Sequence, residues 1–385
     1  MSKDWNLIEL GDLGVLRFRG VDAVRFLQGQ VSNDVERLSA ERSQLAGYHN
    51  PQGRAIALLR LVQLAPDDVL AILPRELIAT VAARLVKFVL RAKVKIADES
   101  AGWRVAGLVA PHAGATRVGA AGALDPRTAA EFEARATSWA AGQFRQASEV
   151  AAAAGELSSA AAQLEEAESV VPLPTASALM LPDAVNSQSR SGAVVIVRVG
   201  AAPARWLVAS PAGEPTPLAG CVAAERDVWR LLDIADGEAQ IYAATSEEFV
   251  AQMLNLDALD AIAFDKGCYT GQEVIARAHY RGRVKRRLQR FVSRGAVAKL
   301  AVGESGQLAD GRAFKVVEAV RLGDGRWEFL AVAPLVAGGA AEGVAEAAPN
   351  GAGSTGAAPN AVAEPTRSAA VIDAEVLPLP YPLPE

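Results

Sequence analysis

Apolar residues fall near helical spacing in two early stretches of the chain. In VDAVRFLQGQVSNDV, which follows Gly20 and offers Asp22 as a cap, Val24, Leu27, Gln28 and Val31 approach one face. In PRELIATVAARLVKFVLRA, Pro74 suits a first helical turn and Leu77, Val81, Leu85 and Phe88 form one apolar stripe. The period then shortens to two: KVKIAD alternates Val94 and Ile96 with charged residues, as a half-buried strand would. GAVVIVRVG and ARWLVASP read as two further strands. From Lys315 to Val332, KVVEAVRLGDGRWEFLAV reads as a hairpin turning at Gly323, Asp324 and Gly325. With RLQRFVSR before it, this hairpin predicts a small β module after a mixed α and β region.

The pattern lapses twice. Between about residues 140 and 190 the composition turns to Ala, Glu, Ser and Pro, with little bulk to bury, which predicts an inserted surface helix and loop. Residues 337–375 repeat AAPN among Ala, Gly and Pro and read as a disordered tether, after which VLPLPYPLPE regains apolar content and is expected to dock back. The chain's 385 residues exceed one comfortable core. The expected division is 1–290, carrying the insert, then a β-barrel over 291–336, the tether, and a docking segment over 376–385.

Charge narrows the function classes. With 39 basic and 44 acidic residues the net charge is -5, so a nucleic-acid coat or membrane-surface role is not indicated and direct DNA binding is not expected. Asp4 and Glu9 interrupt any secretory core at the amino terminus, and no apolar run approaches the length of a membrane span, so a cytoplasmic protein is expected. Two cysteines, Cys221 and Cys268, and three dispersed histidines, His49, His112 and His279, make a self-contained zinc or iron-sulfur site an unlikely expectation. Walker, HExxH and GxSxG patterns are missing from the sequence, and its one GxGxxG match, at 351–356, falls in the stretch read as tether.

The stretch DKGCYTGQEVIARAHYRGRVKRRL, residues 265–288, concentrates the remaining chemistry. Thr270 and Glu273 have capping-box spacing, so a helix is expected from Gly271, with Val274 and Ala278 on its buried face and Glu273 paired to Arg277. Cys268 would then precede a positive helix end with Lys266 two residues away, and both favour thiolate; a buried structural cysteine is the alternative. The run from Arg277 to Arg290 carries no acid, and suits either phosphate binding or a solvated strand and turn.

KGCYTGQE, at Lys266–Glu273, followed by ARAHYRG, closely resembles the signature of the YgfZ-type folate-binding proteins, relatives of the glycine-cleavage aminomethyltransferases. LQGQVSNDV, NPQGRAIA, MLNLDALDAIAFDKGCY and the closing LPY add to the resemblance. It implies an α+β fold of T-protein-like folate-binding subdomains with a small C-terminal β-barrel. It also implies tetrahydrofolate binding and support of iron-sulfur client proteins, tRNA-modifying enzymes among them, so that any tRNA link would be indirect. A folate needs a carboxylate or amide at the pterin edge, an apolar or aromatic slot, and cations for its glutamate tail. Asp34 and Glu273 are the candidates for the first, Tyr48, Trp229 and Tyr269 for the second, and Arg54, Arg230 and Arg281 for the third, with Gln272 in the motif beside them. Cys268, helped by Lys266, would be the reactive thiol.

The chain departs from the transferases where their segment matching NPQGRAIAL ends in two acids; Ala57 and Leu58 stand there. Loss of such a carboxylate removes charge handling usually worth about 10²-fold or more in rate. Aminomethyl transfer is therefore the second reading, and RNA binding through the arginine run the third. Ala239 and Ala251 also stand where the family pattern commonly has prolines.

Overall fold

A computed structural model describes residues 5–111, 180–213, 220–282, 284–335 and 371–384. His112, Arg283, the Ala-rich stretch up to residue 179 and the tether up to residue 370 lie outside the described residues.

Three sheets organise the chain. The first contains β2 (Leu13–Arg19), β3 (Gln44–His49), β4 (Ala55–Ala65), β5 (Asp68–Pro74) and β6 (Lys95–Asp98), in the order β3-β4-β5-β2-β6, with antiparallel neighbours throughout. Strands β3, β4 and β5 show little polar alternation because both faces are covered. On β5, Val69, Ala71 and Leu73 enter one core, while Leu70 and Ile72 enter another. Helices α1 (Ala23–Gln28) and α2 (Arg75–Val86) cover the first of these faces.

The second sheet covers the other face. Its order is β11-β1-β7-β10-β9-β8, built from β1 (Asn6–Glu9), β7 (Trp103–Val109), β8 (Gln188–Ser191), β9 (Val194–Gly200), β10 (Arg205–Pro211) and β11 (Val222–Ala223). Val195, Val197 and Val199 join the shared core with Trp229 and Leu232 of α3 (Arg226–Asp236), while Val194 and Ile196 face away into a separate cluster with Trp5 and Trp206.

The third sheet is nearly closed. It comprises β12 (Arg286–Ser293), β13 (Ser305–Leu308), β14 (Ala313–Arg321), β15 (Trp327–Pro334), β16 (Val371–Ile372) and β17 (Ala374–Leu377), in the order β16-β13-β14-β15-β12-β17. Its two edge strands are separated in sequence only by Asp373, so the chain itself curls one edge back to the other. The result is a barrel-like module with Phe291, Phe314 and Phe329 inside.

Several local expectations need correction. The α2 stripe holds for Leu77, Val81 and Leu85, but the helix stops at Val86 and Phe88 lies 50% exposed. Strand β8 falls inside the stretch read as inserted helix and loop; its signal is polar because Gln188 is buried and its Nε2 donates to the Gln63 carbonyl at 2.9 Å. Strands β16 and β17 begin within the stretch read as tether. Among the described residues no helix is long and apolar enough to cross a membrane.

Residues after β17 lie against the C-terminal end of α3 and the turn at Asn255. The Tyr381 hydroxyl donates to the Gly237 carbonyl at 2.8 Å and accepts from Asn255 Nδ2 at 3.3 Å. Beneath it, Arg287 and Asp257, each side chain 3% exposed, pair at 2.9 Å. Removing one member of a buried ion pair leaves the other uncompensated. Asp257→Ala should therefore lower unfolding free energy by roughly 3–5 kcal/mol, and Tyr381→Phe by about 1–2 kcal/mol. Urea denaturation measures both, and equal small losses would show that the ion pair does not anchor this seam.

Candidate functional site

The KGCYTGQE motif is a loop leading into α4 (Gln272–Arg281). Gly271, at φ 85°, precedes the helix, and Thr270 makes no capping hydrogen bond, so the capping box expected from the spacing is not formed. A backbone reason replaces it. A Cβ on Gly271 would lie 2.5 Å from the Asn50 carbonyl oxygen and 3.0 Å from Gly53 Cα. Gly53, at φ 71°, meets Val274 and the Gly271 carbonyl in return. The NPQGR and YTGQE turns thus lie back to back, at a distance only glycine permits. Ile275 is the buried residue of α4, whereas Val274 is 39% exposed and Ala278 half-buried, which corrects the expected buried face.

Lys266 holds the loop from the other side. Its Nζ donates to the carbonyl oxygens of Gln28 at 2.8 Å, Val31 at 2.8 Å and Asn33 at 2.7 Å. All three ammonium protons are thereby taken up. Burial lowers the Lys266 pKa to about 8 against the opposing pull of Asp34 and Glu36. The group works as a tether between two motifs rather than as a free cation beside the thiol. Nζ also stands 5.1 Å from the centroid of Tyr269, whose buried phenol is pushed up to about 12. Cys268, between them, is exposed.

Under Tyr269 lies His49, its ring centroid 6.5 Å away. The imidazole is 1% exposed, and neither ring nitrogen forms a good hydrogen bond, although both lie beside the Gly47 backbone. Burial drives its pKa down to about 4, so it is neutral at pH 7. Sequence reading had set His49 aside because it had no nearby ligand partner.

Of the other candidates near the motif, Asp34, Arg54 and Glu273 are already engaged. Asp34 caps a short 3-10 turn, accepts from Gln28 Nε2 at 2.8 Å and pairs with Arg37 at 2.9 Å. Tyr48 is buried on β3, with its pKa raised by burial. Arg54 donates to the Glu248 carbonyl at 2.7 Å. Gln272 opens α4, exposed Glu273 pairs with Arg277 at 2.8 Å as expected, and Arg281 ends the helix exposed. The arginine run is no continuous surface, since Arg287 and Arg290 are buried against Asp257 and Glu328.

Trp229 and Arg230 belong to a second place, the central cleft between the first two sheets, α3 and the loop after it. Leu10, Leu13, Leu45, Ile72, Val199, Leu207 and Trp229 give it apolar walls. Around them stand Asp12, Arg60, Arg226, Arg230, Asp233, Glu238, Gln240 and Tyr242. Trp229 is 6% exposed, lies flat on Gly107 and receives the Arg205 guanidinium 4.8 Å from its ring. Arg230 Nε donates to Glu318 Oε1 of the barrel at 3.0 Å, and the Tyr242 hydroxyl donates to Glu318 Oε2 at 2.7 Å. Burial and the Glu318 charge push the Tyr242 phenol upward. Arg60 pairs with Glu238 at 3.0 Å, and burial raises Asp233 to about 7 against the pull of Arg205. Sequence reading missed Asp12, Arg226, Glu238, Tyr242 and Glu318, which no local motif connects. The free space is about 60 Å³. A roomier recess of about 430 Å³ lies by the motif, between Arg37, Asp265 and Tyr280, but it is open and its Arg37 is already paired to Asp34 and Asp265.

No family model matches the chain. It is 29% identical over 327 residues to the tRNA-modifying protein YgfZ of Serratia proteamaculans, covering 83% of this chain and 81% of that protein. It is 27% identical over 328 residues to the protein of the same name from Yersinia pseudotuberculosis, with the same coverage. Among solved structures it is similar to the glycine cleavage system aminomethyltransferase T from Bartonella henselae, with a TM-score of 0.56 and 14% identity over 86% of this chain and 78% of that one. The last likeness is one of fold. The resemblance first carried by KGCYTGQE extends over most of the chain, and the T-protein-like α+β fold with its barrel-like C-terminal sheet is the one observed.

Two measurements test the motif's construction. Gly271→Ala places a methyl group against a carbonyl at a left-handed backbone position, and should cost about 2 kcal/mol or more in denaturant unfolding; an unchanged midpoint would refute the glycine crossing. For His49, the native state binds fewer protons than the unfolded chain between pH 6.5 and about 4. Its contribution is full above pH 6.5 and declines as pH falls, by about 1.4 kcal/mol per unit and roughly 3 kcal/mol in all. The difference between wild type and His49→Gln should narrow by that amount from pH 7 to pH 4, and a constant difference would contradict a buried neutral imidazole.

Proposed function

We propose, starting from the likeness to YgfZ-type proteins, that this chain is a cytoplasmic tetrahydrofolate-binding accessory protein supporting assembly or repair of iron-sulfur clusters in client enzymes, tRNA-modifying ones included. The observation that carries the proposal is the central cleft: an indole, a phenol and aliphatic walls surrounded by guanidinium and carboxylate groups, between the first two sheets and α3. That donor set suits a flat, amphipathic heterocycle with an anionic tail. When bound, tetrahydrofolate supplies a one-carbon-carrying or reducing ring system. The chain's own part is to hold the ring against Leu13 and Trp229 and to exclude water.

The volume makes opening part of the proposal, because about 60 Å³ is well under the space that small-molecule pockets offer, roughly 300–1,000 Å³. The wall that must give is the one bridged by Glu318, which joins the barrel to Arg230 and Tyr242. Cys268, exposed at the motif tip and outside the cleft lining, is the thiol proposed to meet clients. Aminomethyl transfer is disfavoured because Ala57 and Leu58, where an acid pair was sought, are 0% and 1% exposed within the core.

Anaerobic calorimetric titration with tetrahydrofolate tests the reading. Wild type should bind saturably, Cys268→Ser should bind equally, and the quenching of indole fluorescence on binding should diminish in Trp229→Phe. In cells, Cys268→Ser should fail to support maturation of iron-sulfur clients. Absence of saturable binding would sink the folate reading, and full client maturation with Cys268→Ser would sink the thiol's role.

A further inference from the structure

Asp12 lies in the turn between β1 and β2 and lines the central cleft. Its position is fixed twice over. Its carbonyl accepts from the Arg75 amide at 2.7 Å, and its Oδ2 accepts from Arg226, the first residue of α3. Its other carboxylate oxygen, Oδ1, is buried and has no hydrogen-bond partner. A buried acceptor without a donor is uncommon and costly to leave unmade.

We infer that Asp12 Oδ1 is the acceptor for an N–H group on the edge of a planar heterocycle held in the cleft. The assignment rests on the folate reading above and specifies how the ring would be recognised. An ionised carboxylate only accepts hydrogen bonds, so its complement is a donor, and an anionic group would be repelled there. The neighbouring wall, Leu13 and Trp229, is apolar and suits a flat ring. The 2-amino and lactam N–H groups of a pterin offer such donors along one edge. The two carboxylates first considered for this task are not placed to perform it: Asp34 is bound by Gln28 and Arg37, and the Glu273 side chain is 84% exposed on α4. A lone water is the rival occupant of the Oδ1 position.

The test is anaerobic calorimetry with tetrahydrofolate and with its 2-desamino analogue, on wild type, Asp12→Ala and Arg226→Gln. Wild type should prefer tetrahydrofolate by about ten- to a hundredfold, the range for a hydrogen bond to a charged group. Asp12→Ala should bind both ligands within about twofold of each other, with the affinity for the analogue retained as proof that the cleft is intact. Arg226→Gln keeps the carboxylate and should keep the preference. Should Asp12→Ala lose both ligands, Asp12→Leu, similar in size and without an acceptor, takes its place under the same criterion. A preference undiminished in the Asp12 variant, or absent in wild type, overturns the assignment and leaves Oδ1 to water. Failure of wild type to bind either ligand overturns the folate reading itself.

Discussion

The ammonium of Lys266 is the fixed point of this molecule. Three carbonyl oxygens, those of Gln28, Val31 and Asn33, converge on it from a segment more than two hundred residues earlier in the chain. Those carbonyls lie at the end of α1 and just beyond it, where the backbone leaves the helix and the intrahelical ladder stops. One cation satisfies them all. In doing so it sets the height of the motif loop above the first sheet, which lets Gly271 and Gly53 cross and Tyr269 cover His49. An arginine in that place would present a planar fork to oxygens arranged around a point, and would not substitute.

The sequence made some of this legible. Period and turn chemistry located α2, the strands flanking residue 200 and the 315–332 hairpin, because each is a local pattern with its cause nearby in the chain. The octapeptide marked a special loop, and its glycines marked close backbone approach, though not which backbone approached. Other features were hidden for identifiable reasons. Strands β3, β4 and β5 of the first sheet are buried on both faces, so they lack the alternation that revealed β6. Strand β8 is polar because its buried Gln188 bonds to carbonyls of neighbouring segments. The stop of α2 before Phe88 left an apolar side chain exposed that period alone had placed in the core.

The candidate site was legible in its parts but not in its assembly. Trp229 and Cys268 were both chosen, yet the indole lines the central cleft while the thiol is exposed on the motif loop. The cleft is assembled from the β1–β2 turn, Arg60 of β4 and helix α3 with the loop after it, and Glu318 of the barrel holds two of its lining side chains from outside. Such a site has no sequence signature, because its residues share a place and not a spacing.

How the cleft is charged constrains any ligand more than its shape does. Arg60 faces Glu238, Arg226 faces Asp12, Arg230 faces Glu318 and Arg205 faces both Asp233 and Asp236. Each of these guanidinium groups is already paired, so an anionic tail gains Coulomb energy only by displacing a resident carboxylate, and the net gain is the difference between two similar pairs. A donor N–H meets no such competition at Asp12 Oδ1. For the heterocycle proposed above, recognition in this cleft would therefore rest more on what the ring donates than on the charge it carries. The strand equivalent to the one expected to deliver an acid in the transferases instead delivers buried carbon at Ala57 and Leu58, followed by the guanidinium of Arg60.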